Sequence, residues 1–314
     1  MSTLYIDRRN LSCRIENGAL IFDENNQRYG IVPTAPLERI VFHCNVQIDT
    51  YTLAQLGQKG IGIILLTGRG HQPVLFLPAQ HHDAKRRLAQ YCLSQNPEYC
   101  RRVASVFLLQ KLTAQRNCLQ TSSEKTLSAA IDQQFTALIE QLRISHSIER
   151  MLGLEGQAAA LYFKALSTQV PKELHFNGRN RRPPRDPLNA ILSLTYTLLT
   201  CEAALAAQTA GLDSYVGFLH ALEYGRHSLA CDLIEALRPE ADQFALRLFT
   251  DGTLTVEHFS TTSKGCLLDK TGRGLFYPAY EKSAPTWRSR LRKTAMDLAT
   301  QLVEDVQTKN HLLD

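Results

Sequence analysis

Three side chains of the kinds that ligate metals, His220, Asp232 and Glu235, lie close together in the second half of the chain. The run Ser228-Leu-Ala-Cys-Asp-Leu-Ile-Glu-Ala-Leu-Arg-Pro239 favours a helix of about ten residues, with Ser228 as its N-cap and Arg238-Pro239 as its stop. Asp232 and Glu235 are three residues apart on that helix, so their carboxylates leave one face. Gly225 lets the chain reverse after His220 and return the imidazole to the same face. Two carboxylate positions and one imidazole suit a hard divalent cation, Mg²⁺ or Mn²⁺, with positions left open for water and phosphate oxygens. The same residues also allow a plainer reading: a satisfied core histidine beside a solvated acidic helix face.

A further carboxylate, Glu155, sits in Ile148-Glu-Arg-Met-Leu-Gly-Leu-Glu-Gly-Gln-Ala-Ala-Ala-Leu-Tyr-Phe163, among apolar and small residues. A charge placed there is costly unless it is paired or bound to metal. Gly153, Gly156 and Ala158 to Ala160 would let a neighbouring element come close, as a ligand donated from a second helix requires. Against this stands an ordinary exposed Glu on an amphipathic helix. Positive charge collects in two places. Arg179, Arg181, Arg182 and Arg185 punctuate the proline-broken loop Phe176 to Asn189, and Trp287 to Lys293 is a basic helical turn expected to show Arg288 and Arg292. Arginine forks near a metal site grip phosphates well, although such runs are more often solvated surface.

Two long patterns carry a family resemblance. The stretch Gly211-Leu-Asp-Ser-Tyr-Val-Gly-Phe-Leu-His220, with Ser228 to Pro239, resembles a signature of the CRISPR-associated endonuclease and integrase of spacer acquisition. Ser214 stands at a usual proline and Cys231 at a usual aliphatic. Gly153-Leu-Glu-Gly-Gln-Ala-Ala-Ala-Leu-Tyr-Phe163 is similar to that family's other main motif, and Arg181-Arg-Pro-Pro-Arg-Asp-Pro-Leu-Asn-Ala190 to its basic segment. The resemblance implies that Glu155, His220 and Glu235 are metal ligands and that Asp232 is an accessory acidic residue beside them. It also implies a Mg²⁺- or Mn²⁺-dependent enzyme that inserts short DNA fragments into a CRISPR array. Its expected substrates are double-stranded, branched or 3′-overhanging DNA, and its expected assembly is a homodimer bridged by a small ferredoxin-like CRISPR-associated partner.

The elements that must position these residues fall into two regions. Up to residue 80 short apolar runs alternate with turn residues, among them the hairpin signal Asn17-Gly18, with one helix expected at Thr50 to Lys59. From residue 81 to 314 the period turns helical. The fold class is therefore α+β: an N-terminal β-rich domain, for dimerisation or partner docking, followed by a larger all-α catalytic domain. A last helix is expected at about Trp287, with Leu291, Met296, Leu298 and Leu302 on its buried side. With 314 residues, 44% of them hydrophobic, both domains can bury a core. A net charge of +5 is too small by itself to establish a polyanion partner. The eight cysteines lack zinc-finger or Cys-x-x-Cys spacing and read as reduced, small hydrophobes. No apolar run is read as a membrane span and the N-terminus lacks a signal-peptide core, which points to the cytoplasm. Two other classes remain open on the residues alone: a non-catalytic helical nucleic-acid-binding protein, and a helical metal-dependent hydrolase of small phosphorylated substrates.

Overall fold

The computed structural model describes residues 2–66, 73–78, 81–121, 129–180, 183–263 and 265–311. These divide into two compact units, residues 1–82 and 83–314.

In the first unit, strands β1 (Ser2–Ile6), β2 (Leu11–Glu16), β3 (Ala19–Glu24), β4 (Gln27–Pro33), β5 (Leu37–Phe42) and β6 (Val46–Ile48) precede helix α1 (Thr50–Gln58), β7 (Gly62–Leu65) and β8 (Val74–Phe76). They make two four-stranded sheets, ordered β1-β5-β7-β8 and β4-β3-β2-β6. Asn17 and Gly18 both adopt positive φ, 49° and 75°, which is the twist that closes the β2–β3 hairpin in register from Glu16–Ala19 to Leu11–Glu24. Asn25 and Asn26 repeat the device between β3 and β4, at 51° and 64°. Leu20, Ile40 and Leu56 are sealed in the core of this unit.

The second unit is built from α2 (Ala84–Ser94), α3 (Pro97–Thr121), α4 (Ala129–Arg143), α5 (Ile148–Ser167), α6 (Pro187–Thr209), α7 (Ser228–Ile234) and α8 (Arg238–Thr250). A two-stranded antiparallel ladder, β9 (Phe259–Thr262) with β10 (Gly265–Leu268), leads into α9 (Lys270–His311). The unit is thus helical apart from this ladder, which the all-α expectation omitted. The ladder is tied to the basic loop, because Cys266 N–H donates to the Pro184 carbonyl at 2.8 Å. Gly265 is needed there: its φ is +108°, and a β-carbon would fall 2.6 Å from the same oxygen.

Helix α6 is the central element, packing against α7, α8, α9 and β10. It is long and apolar enough to cross a membrane by length and composition, contrary to the expectation that no run approached that length, but 67% of its apolar window is buried inside the protein. Helix α9 also begins earlier than the sequence pattern suggested. Pro278 and Pro285 lie inside this 42-residue helix. Gly272 meets Leu268 so closely that a β-carbon would lie 2.4 Å from its Cδ1, and Tyr280 is completely buried, so both serve packing. All eight cysteines are free thiols, as their spacing implied.

Candidate functional site

Four elements of the second unit meet at the site: α3, α5, the loop 211–227, and α7 with the 3-10 turn Glu235–Leu237 that follows it. The expected single helix is in fact this short α7, the turn, and α8. Arg238-Pro239 does not stop a helix but opens α8, where proline lacks an N–H that the first turn would leave unpaired anyway. Ser228 is the first helical residue rather than the cap. Its hydroxyl donates to the Ala221 carbonyl at 2.9 Å, while the Ser214 carbonyl accepts from Leu229 N–H at 3.0 Å and serves the helix start. Gly225, at φ +73°, turns the loop between His220 and α7.

Asp232 is completely buried, and both its oxygens are used. Oδ2 accepts from the N–H groups of Phe218 at 2.7 Å and Leu219 at 3.0 Å, while Oδ1 accepts from His220 N–H at 3.0 Å and His220 Nδ1 at 2.6 Å. A carboxylate only accepts, so Nδ1 carries the hydrogen, and in the neutral imidazole Nε2 is left as the lone-pair nitrogen. The chain reaches this carboxylate because residue 217 is glycine. A β-carbon there would lie 2.7 Å from Oδ2 and 2.9 Å from the Ser228 carbonyl carbon.

On the other side of the imidazole, His220 Nε2 stands 3.9 Å from Glu235 Oε1. Burial alone would push the Glu235 carboxyl up, but the Arg238 guanidinium and the Lys111 ammonium outweigh it and hold it down to about 2. Arg238 Nε donates to Glu235 Oε1 at 2.8 Å. Lys111 Nζ lies 2.5 Å from Glu235 Oε2 and 2.5 Å from Glu155 Oε1, which joins α3, α5 and the turn through one ammonium. Apart from this ammonium, Glu235 Oε2 has no partner among the described residues. Gly153 and Gly156 lie on the exposed side of α5 with nothing within 4 Å of a β-carbon, so the close approach of α3 beside Glu155 comes over the face of Leu154 and the fully buried Ala158 instead. One turn further along α5 a groove of about 540 Å³ runs between Ala160, Phe163 and Lys164 on one side and Phe176 and Arg179 on the other.

The sequence matches the family described as CRISPR associated protein Cas1 over residues 4–282. It is 35% identical to CRISPR-associated endonuclease Cas1 1 of Thermodesulfovibrio yellowstonii over 97% of this chain and 98% of that one. The chain belongs to the Cas1 family. Among solved structures, a casposase bound to its integration product superposes with a TM-score of 0.84 at 20% identity, covering 97% of this Cas1 chain and 91% of that chain. A Cas6-RT-Cas1–Cas2 complex gives 0.82 at 18% identity, covering 97% of this chain and 35% of the other. These two likenesses establish a shared fold.

In this Cas1 fold, His220, Asp232 and Glu235 meet, whereas Glu155 reaches Glu235 only through Lys111. Among the described residues no three His, Cys, Asp or Glu side chains converge on one point as a metal would require. The reason is visible in the distances, since the ammonium occupies the place between the two carboxylates. Lys111 and Arg238 were missed in the sequence. Lys111 carried a signal, because it falls on the buried stripe Ala104, Leu108, Leu112 and Gln115 of α3, where a lysine needs a partner.

The expected DNA contacts fare unevenly. Arg288 is corrected: only 4% exposed, it donates to Glu202 at 2.8 Å and to both oxygens of Glu281, which leaves it no face for DNA. Arg179 is half-buried and shapes the loop, donating to Asn189 Oδ1 at 2.8 Å and Ser193 Oγ at 3.2 Å. Asn189, fully buried, anchors the same loop by accepting from Asn180 N–H at 3.0 Å and donating to the Gly178 carbonyl at 2.9 Å. Arg185 is exposed and Arg292 half-buried, while Arg181 and Arg182 lie outside the described residues.

Proposed function

We propose that Glu155, His220 and Glu235 hold one Mg²⁺ or Mn²⁺ ion with which this Cas1 protein joins short DNA fragments to a CRISPR array. The observation that carries the reading is the grip on His220: Asp232 takes Nδ1, so Nε2 faces the buried, ionised Glu235. The donor set fits a hard cation, because buried Glu235 Oε2 is met only by the Lys111 ammonium, a positive group that already sits between the two carboxylates. Once bound, such an ion polarises the scissile phosphate, offsets charge in the transition state and eases deprotonation of the attacking hydroxyl.

Everything else falls to the chain's own side chains. Asp232 and three N–H groups fix the loop and the histidine tautomer, so the ligand nitrogen is set before substrate arrives. Arg238 keeps Glu235 ionised. The groove beyond Glu155 offers two phenylalanine rings for base stacking with Lys164 and Arg179 beside them, which suits a DNA strand led towards the ligands. Attack by a DNA 3′-hydroxyl gives strand transfer; attack by water gives strand cleavage. The names of the matched proteins, an endonuclease, a casposase on its integration product and a Cas1–Cas2 complex, support DNA as substrate and a Cas2-type partner. The first unit, which carries none of the proposed ligands, serves dimerisation or partner docking. Asp232 acts behind the ligands, and Arg181, Arg182, Arg185 and Arg292 are the phosphate contacts.

The reading is tested by incubating a labelled short duplex with a supercoiled plasmid carrying a repeat array. Joined product that needs Mg²⁺ or Mn²⁺ and disappears with chelator is expected. Tight DNA binding without any joined or cut product would favour the non-catalytic binder, and turnover of a small phosphodiester in its place would favour the small-substrate hydrolase.

A further inference from the structure

Lys111 is the one member of the site that the metal-ligand reading leaves without a role. It is only 8% exposed, lies on the core-facing stripe of α3, and places its Nζ 2.5 Å from one oxygen of Glu155 and 2.5 Å from one oxygen of Glu235. Those are oxygens that a divalent cation would need, and the Glu235 oxygen makes no hydrogen bond elsewhere. An ammonium and a metal ion cannot both sit there, because each needs the same lone pairs and the two repel. Glu235 does not need Lys111 for neutralisation, since Arg238 already donates to its other oxygen at 2.8 Å. Lys111 and Arg238 thus set two positive charges against the Glu155 and Glu235 carboxylates.

We propose that Lys111 is a resident counter-cation of the metal site: it holds the Glu155 and Glu235 carboxylates together before the divalent cation binds and is displaced from between them when that cation arrives. This rests on the reading of Glu155, His220 and Glu235 as ligands. Three consequences follow. The two carboxylates, carried by different elements, stay together without metal, so the site is preorganised. Metal binding is weakened by competition from a tethered lysine. A displaced ammonium on a four-carbon stem remains beside the cation, within reach of a substrate phosphate.

The opposite possibility is that Lys111 is a strut, present in both states, without which the carboxylates splay apart. The two differ in sign. Mn²⁺ alone is titrated by calorimetry into full-length wild type, Lys111→Met, Lys111→Gln and His220→Ala, and each protein is melted with and without Mn²⁺. A counter-cation predicts that both Lys111 variants bind Mn²⁺ tighter than wild type, by about tenfold, the factor for a displaced pairing worth about 1.4 kcal/mol. They should melt lower than wild type without metal and recover most of the difference in Mn²⁺. Weaker Mn²⁺ binding by both variants, with wild-type binding still dependent on His220, would overturn the proposal and leave the ligand assignment standing. Equal binding by wild type and His220→Ala would overturn both. Failure of both Lys111 variants to fold even in Mn²⁺ would also sink the counter-cation, which the metal should be able to replace.

Discussion

Replacing Asp232 by Asn keeps the shape of a completely buried side chain and removes half of its accepting capacity. Four hydrogen bonds converge on the carboxylate, two on each oxygen. An amide retains one acceptor oxygen and turns an NH₂ towards two donors. The flip that turns the NH₂ to Phe218 and Leu219 loses two charge-assisted bonds, at about 1.5–3 kcal/mol each, for a total of about 3–6 kcal/mol, while the other loses the His220 N–H bond and keeps the ring only by changing its tautomer. That is a large share of the 5–15 kcal/mol that holds a typical domain together. The flip that spares Phe218 and Leu219 points the amide N–H at His220 Nδ1, which favours the tautomer with hydrogen on Nε2 and removes the lone pair meant for the cation. Urea denaturation should show the lost stability, and metal-dependent strand transfer should fall by about 10³-fold or more, beyond the 10- to 100-fold usual for groups that orient a ligand. An Asp232→Asn protein of wild-type stability with strand transfer within tenfold of wild type would refute this reasoning.

Gly217→Ala should cost about 1–3 kcal/mol, because its β-carbon would press on Asp232 Oδ2 and the Ser228 backbone, whereas Gly153→Ala, with nothing within 4 Å, should gain about 0.5–1 kcal/mol by favouring the helix; paired urea denaturation curves compare them. Arg288→Ala leaves Glu202 and Glu281 facing each other and should lose about 3–5 kcal/mol, while the salt dependence of DNA affinity stays unchanged. Burial raises the Asp242 carboxyl from 3.8 to about 6 against the opposing Tyr196 hydroxyl and Arg238 charge, so the folded state holds its proton where the unfolded chain does not. Stability should therefore fall as pH rises from about 4 to about 6, by up to about 3 kcal/mol at 1.36 kcal/mol per unit, and Asp242→Asn should flatten that slope in chemical denaturation across the range.

Local signals in the chain were read well. Asn17-Gly18 named its hairpin, and the spacing of His220, Asp232 and Glu235 brought those three together. What failed depended on partners distant in sequence. Periodicity placed Arg288 on a helix but could not know that Glu202 of α6 would claim it, and nothing near Glu155 revealed that Lys111 of α3 would reach it. Pro239 was taken as a stop because proline removes a backbone donor, yet it sits in the first turn of α8, where no donor is needed.

The ligand assignment is tested most directly by locating the ion itself. Anomalous scattering from a Mn²⁺-soaked crystal should give one peak bonded to Glu155, to Glu235 and to His220 Nε2, at about 2.0–2.3 Å from each, with Asp232 still on Nδ1 and Lys111 moved aside. A peak that takes Asp232 as a ligand, or that leaves His220 untouched, would contradict it.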